Sequence, residues 1–202
     1  MSLRFFSVKF KRLPEIFILC LLCLAVWHSV TFNRDLTVAI GGFSPLHYLA
    51  QLSCPTCFIG DFPNYDQFSK SLISQIYKVL QFIGTTPYNS LLFVIACEIV
   101  TFTIVVYLGA IKVFKRTKAE SLFITILVSS STVLHINLGG WQAPIFSGLP
   151  YVLAHTLQIL GIFLFLAGHP ISCSIFLTLS FATHPVIGLL GIAFIVGAML
   201  GN

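Results

Sequence analysis

Six apolar runs, at residues 13–32, 90–113, 122–138, 149–167, 171–181 and 186–200, are set apart by polar breaks along this chain. Runs of this size predict helices that cross a hydrocarbon layer of roughly 30 Å, which takes about 20 residues at 1.5 Å each. The fifth is short for a span, and it reads also as a partly re-entrant segment ended by Thr183-His184-Pro185.

Residues 33–88 have a different pattern. Tyr65, Phe68, Leu72, Ile76, Leu80 and Ile83 recur at helical spacing, while Asp66, Lys70, Gln75, Lys78 and Gln81 mostly fill the rest of the wheel. This predicts an amphipathic helix. Beside a membrane it would lie in the interface, with Tyr and Phe among the headgroups; packing onto the bundle as ordinary core fits the pattern equally well. Gly41-Gly42, Pro45, Pro55, Pro63 and Pro87 exclude one continuous helix through the whole interval.

Composition turns these helices into a class. Of 202 residues, 57% are hydrophobic and 8% charged, against about 25% charged in soluble domains. So few charges cannot coat a water-soluble core of this size. The expectation is an all-α, polytopic transmembrane helix bundle of about six spans, one domain over residues 1–202, with membrane lipid as its first partner. The net charge of +5 points to no nucleic acid, because the basic residues stand at the ends of apolar runs and form no solvated face.

Those ends read as topology signals. Arg4, Lys9, Lys11 and Arg12 precede the first run, and Lys112, Lys115, Arg116 and Lys118 follow the second. Both clusters are expected on the cytoplasmic side, which makes the N-terminus cytoplasmic and the 33–88 loop external. That loop balances Arg34, Lys70 and Lys78 against Asp35, Asp61 and Asp66. Alternation then puts residues 139–148 and 183–185 outside and 168–170 inside. A basic start before an apolar run also has the form of a signal peptide, but Trp27, His28 and Phe32 lack the small-x-small pattern of a cleavage site.

Few residues are able to carry chemistry. Cys54-Pro-Thr-Cys57 is a candidate disulfide where the compartment oxidises. It lacks the βαβ context of a redox motif and the second pair of a zinc site, and His47 is the nearby imidazole. Cys20, Cys23, Cys97 and Cys173 lie in apolar runs and read as small hydrophobes. Asp66 is placed to cap the amphipathic helix, whereas Asp61, after Gly60 and before Phe62-Pro63, is not, and so is the stronger catalytic candidate. Asp35, beside Arg34, ranks second. An external carboxylate of this kind can act as general base or hold a divalent cation.

Glu98 falls deep in the second run, where an ionisable group normally faces a bundle interior. It either pairs with a histidine such as His28 or His155, the latter read as a second buried ionisable group, or stays protonated and hydrogen-bonded as polar glue between helices. His135, Asn137, Trp141, Gln142, Tyr151 and His155 gather around the next external break, and His184 comes to the same side. Asp35, Asp61, Trp141, Gln142 and His184 are thus expected to converge on one end of the bundle, where a site belongs.

The order of these features resembles the GT-C class of polytopic membrane glycosyltransferases: a basic start, one span, a long external loop with acids and an interfacial helix, then packed spans. Gly60-Asp61-Phe62, Gly140-Trp141-Gln142, the run from Pro150 to Gly168 and Phe181-Ala182-Thr183-His184-Pro185 are similar to an uncharacterised bacterial family of GT-C-like proteins. The resemblance implies sugar transfer from a polyprenyl-phosphate-linked donor at the outer face. It gives Asp61, then Asp35, the part of catalytic base; Trp141, Gln142 and His184, from their expected place at the same end, and Arg34, as a charge to balance the departing phosphate, are read as substrate contacts. Members of the class usually have more spans, so the resemblance implies an N-terminal module of a longer protein.

Two other classes fit the same pattern. Glu98 within a span, with Gly- and Pro-interrupted helices nearby, suits a transporter subunit. A non-catalytic scaffold, its loop docking a partner and its His residues joining helices, needs no site at all. Intramembrane proteolysis lacks its Gly-x-Ser-Gly or paired aspartates.

Overall fold

A computed structural model describes residues 13–32, 49, 71–133 and 150–200, which are helical with short turns and contain no strand. The helices are α1 Leu13–Phe32, α2 Leu72–Phe82, α3 Pro87–Lys112, α4 Lys118–Val133, α5 Pro150–Leu166, α6 Pro170–Thr183 and α7 Pro185–Leu200. Each apolar run thus becomes one helix. By length and composition α3, with 26 residues, is able to cross a membrane; Pro14–Ser29 within α1, and α5, α6 and α7, are shorter apolar helices. The short fifth run is the continuous 14-residue α6.

Local chemistry explains the ends. Gly84 follows α2 with φ +89° and Gly168 follows α5 with φ +80°, a left-handed conformation that costs glycine little. Each closes its helix with the same pair of bonds: Gly84 N to Gln81 O and Thr85 N to Leu80 O, then Gly168 N to Phe165 O and His169 N to Leu164 O. That is a Schellman cap. A proline opens the next helix in both cases, Pro87 and Pro170, where its missing N–H is no loss. At the start of α4, Thr117 and Glu120 form a reciprocal capping box: Glu120 Oε2 accepts from Thr117 N at 2.9 Å, and Thr117 Oγ1 accepts from Glu120 N at 3.3 Å.

The helices form two trios. In the first, α1 packs on α3 and α4, and α3 on α4; in the second, α5, α6 and α7 pack on one another. The trios meet where α3 packs on α5, and α2 touches α3, α5 and α6. Side-chain contacts fix the directions. Glu15 in the first turn of α1 accepts a hydrogen bond from Tyr107 Oη at 2.8 Å and pairs with Lys118 Nζ, while Val26, farther along α1, packs with Leu91, Val94 and Ile95. α1 and α3 are therefore antiparallel, and the start of α1, the end of α3 and the start of α4 share what is the basic end of the bundle. Phe163 of α5 lies over Gly109, and its ring meets Phe114 edge-on with centroids 5.7 Å apart. α5 thus finishes at the basic end as well.

The opposite end holds α2. Its Ile73, Tyr77 and Leu80 are buried with Leu91, Val94, Ile95, Ile99 and Val152, so the helix docks as core. Of the positions that the sequence singles out, Leu80 is buried in this contact, Leu72 and Ile76 are half-buried, and Ile83 is exposed beside Val79 and Phe82, with Phe82 90% exposed; Tyr65 and Phe68 lie outside the described residues. The helix thus packs as core on one side and presents apolar side chains on the other.

The outer surface of the bundle is apolar. Phe17, Leu24, Phe93, Phe123, Tyr151, Ile175, Leu190 and Phe194 are all exposed, and they come from every described helix other than α2.

Candidate functional site

The end opposite the basic cluster holds Tyr151, His155, Ser180 and His184 of the second trio, with Gln158 one turn farther in. On α5, Tyr151, His155 and Gln158 form one row between two packed faces. Ala154 and Gly161 face α6, through the hydrogen bond from Ser180 Oγ to Ala154 O at 2.8 Å and through Leu177 against Gly161; Phe163, on the other side, meets α3. The row is left open, with Tyr151 and His155 exposed and Gln158 half-buried.

His184 closes this group from the turn between α6 and α7. Its ring lies against Tyr151 at 4.8 Å between centroids, inclined by 42°. Its backbone N–H is held by Ser180 O at 2.8 Å and its carbonyl accepts from Gly188 N at 3.1 Å, so the turn is fixed from both helices. The side-chain Nδ1 is buried and has no hydrogen-bond partner among the described residues. Partial burial, and then the nearby His155 imidazole, push the His184 pKa below the ordinary histidine value. His184 is thus neutral at pH 7.

Gln158 ties α5 to α7. Its Nε2 donates to Ile187 O at 3.0 Å, and its Oε1 faces His155 Nδ1 at 3.2 Å. The stem passes Gly191, where an added Cβ would lie 2.8 Å from Gln158 Cγ.

Glu98 lies apart from this group. It is 2% exposed on α3, close enough to Tyr77 of α2 that its charge, after burial, is the second cause raising the Tyr77 pKa well above 10.0. Tyr77 is thus one polar neighbour of Glu98, and His155 pairs instead with Gln158. His155 itself is exposed and not buried, because its row on α5 falls between the faces taken by α3 and α6. Of the sequence-derived site residues, His184, Glu98 and His155 are described; Arg34, Asp35, Cys54, Cys57, Asp61, Trp141 and Gln142 lie outside the described residues. Cys20, Cys23, Cys97 and Cys173 are free thiols on helices.

Sequence reasoning passed over Gln158, Ser180, Glu15 and Tyr107. Gln158 did leave a signal, as the one amide in a largely apolar run; Glu15 left one too, as an acid just inside an apolar run that follows a basic segment. Ser180 and Tyr107 are composition-neutral in such helices.

No family model matches this chain, and no curated protein or solved structure matches it.

Proposed function

We propose that the chain is a multi-pass membrane protein, six spans with α2 lying at the outer interface, that transfers a sugar from a polyprenyl-phosphate-linked donor at the end of the bundle where Tyr151, His155 and His184 sit. The observation that carries the membrane part is the apolar exterior: Phe17, Leu24, Phe93, Phe123, Ile175 and Phe194 face outward on helices that are also apolar within. A helix apolar on all sides needs protein or lipid on all sides, and exposed apolar surface on this scale has no place in water. The antiparallel packing of α1 on α3 puts the start of α1, which follows Arg4 to Arg12 in the sequence, at the same end as Lys112, Lys115, Arg116 and Lys118, in keeping with the cytoplasmic rule.

The transfer part is supported by placement. The described residues that border 33–48 and 134–149, at the ends of α1 and α4 and the start of α5, lie toward the end opposite the basic cluster. The described ends that lead into residues 33–48 and 134–149 are thus at the end that carries His184, which supports the reading that Asp35, Asp61, Trp141 and Gln142, outside the described residues, serve that end. A carboxylate or imidazole there can take the acceptor's proton, and Arg34 or a divalent cation can balance the departing phosphate.

The test is mass spectrometry of lipids that co-purify with the chain in mild detergent, for the native protein, Asp61→Asn and Glu98→Gln. Enrichment of a polyprenyl phosphate or its sugar conjugate is expected. Recovery of bulk phospholipid alone from all three overturns the transferase reading.

A further inference from the structure

The hydrogen bonds around Gln158 settle more than helix packing. The backbone oxygen of Ile187 can only accept, so the amide atom that meets it at 3.0 Å is the Gln158 NH2 group. The amide oxygen then faces His155 Nδ1 at 3.2 Å. An amide oxygen also only accepts, so His155 carries its proton on Nδ1. In a neutral imidazole the lone pair is then on Nε2.

Two further features keep this arrangement in place. Gly191 gives the Gln158 stem room against α7, and Ile187 is itself buried in the first turn of that helix. His155 is exposed on the open row of α5, beside Tyr151. The result is an exposed imidazole whose tautomer and orientation are set before any ligand arrives, which is what general-base catalysis asks of its acceptor.

We propose that His155, oriented by Gln158, is the proton acceptor of this end of the bundle and takes the proton of a ligand hydroxyl onto Nε2. The inference rests on the glycosyl-transfer reading for the identity of that ligand, an acceptor alcohol. In the transfer step the alcohol oxygen bonds to the anomeric carbon of the donor. The anomeric bond to the lipid phosphate breaks, with its electron pair going to the phosphate oxygen. The alcohol proton ends on Nε2, leaving His155 as an imidazolium. The acceptor is then an imidazole of α5 in place of the Asp61 carboxylate that the resemblance implies. Gln158 is a positioning residue.

The tautomer is measured on the full chain in nanodiscs with 15N-labelled histidine rings, the His155 signals being identified by their loss in His155→Gln. The expected spectrum at pH 7.5 has a protonated Nδ1 and a bare Nε2 for His155. Gln158→Leu shifts it toward the Nε2-protonated form, and Gln158→Glu, which still accepts from Nδ1, does not. An Nε2-protonated His155 in the native chain, or a tautomer indifferent to Gln158→Leu, overturns the proposal. Once the co-purified sugar lipid supports a turnover assay, His155→Gln is expected to lose turnover and keep the lipid; retained turnover overturns the proposal. The spectrum needs no substrate, so the two readings fail separately. A native Nδ1-protonated signal with no sugar lipid counts against the transferase reading, and sugar lipid with an Nε2-protonated signal counts against this one.

Discussion

The two helix trios are held by different physics. The first, α1, α3 and α4, is pinned at the basic end by one charge: Glu15 receives Tyr107 from α3 and Lys118 from α4. The second, α5, α6 and α7, has no such ion pair among the described residues and relies on shape. Gly188 lies against the Phe181 backbone, Gly191 against Gln158 and Leu177, and Gly161 against Leu177, while Ser180 and Gln158 hydrogen-bond to carbonyls of neighbouring helices. Small residues let helix backbones approach closely, and in the membrane setting proposed above apolar side chains gain little by leaving an equally apolar solvent. The difference teaches where each trio is vulnerable, the first to loss of a single hydrogen-bond acceptor, Glu15, and the second to added volume.

The largest effect is expected from Gly188→Ala. Its Cβ would fall inside contact distance of Phe181 Cα and N, backbone atoms that cannot swing aside. Overpacking of that kind costs about 1–3 kcal/mol or more, against a helix-propensity gain of about 1 kcal/mol for alanine over glycine. A net fall in detergent unfolding temperature is the expected reading. Gly197→Ala on the same helix meets open space and should not lower it.

Glu15→Ala comes next. It leaves the Tyr107 hydroxyl without its acceptor, at a cost of about 1–3 kcal/mol when such a group is buried. Glu15→Gln keeps an acceptor for Tyr107 and loses the pairing with Lys118, which is 57% exposed and so contributes about 0–1 kcal/mol. Equal losses from the two variants, read in the same unfolding assay, would show that charge dominates after all.

Thr117→Ala removes one side of the α4 capping box, at about 1 kcal/mol. The smallest effect is one of pH. With the His184 pKa lowered in the folded chain from 6.5, the unfolded chain binds the extra proton more readily. Stability is therefore full above pH 6.5 and declines as the pH falls toward the folded value. Tyr151 and His155 are the groups facing it. His184→Gln should flatten that decline, seen as an unfolding temperature that changes less between neutral and mildly acidic pH.

Much of the architecture is legible in the sequence because it follows from local rules. Apolar run length gives the helices, and proline at the first position with glycine after the last gives their ends, as Gly84 with Pro87 and Gly168 with Pro170 show. What is not legible is which face of a helix is taken. α2 carries two apolar stripes, and only the packing of Tyr77 and Ile73 against α3 decides between them. α5 is apolar almost throughout, so nothing in its order of residues says that His155 falls in the gap between two packed faces. The convergence of His184 with Tyr151 could be anticipated from alternation of the spans. The part played by Gln158 could not, because it depends on Gly191 and on a backbone carbonyl of another helix.

The central claim is a six-span arrangement with both basic clusters on one side. Single cysteines at Lys115, His169 and Thr86, all exposed positions in the turns between helices, test it when probed in intact cells with a membrane-impermeant thiol reagent, against the unsubstituted chain as background. The account predicts that the Thr86 position is labelled from outside and that Lys115 and His169 are labelled only after the membrane is opened. Labelling of Lys115 and His169 from opposite sides would contradict it.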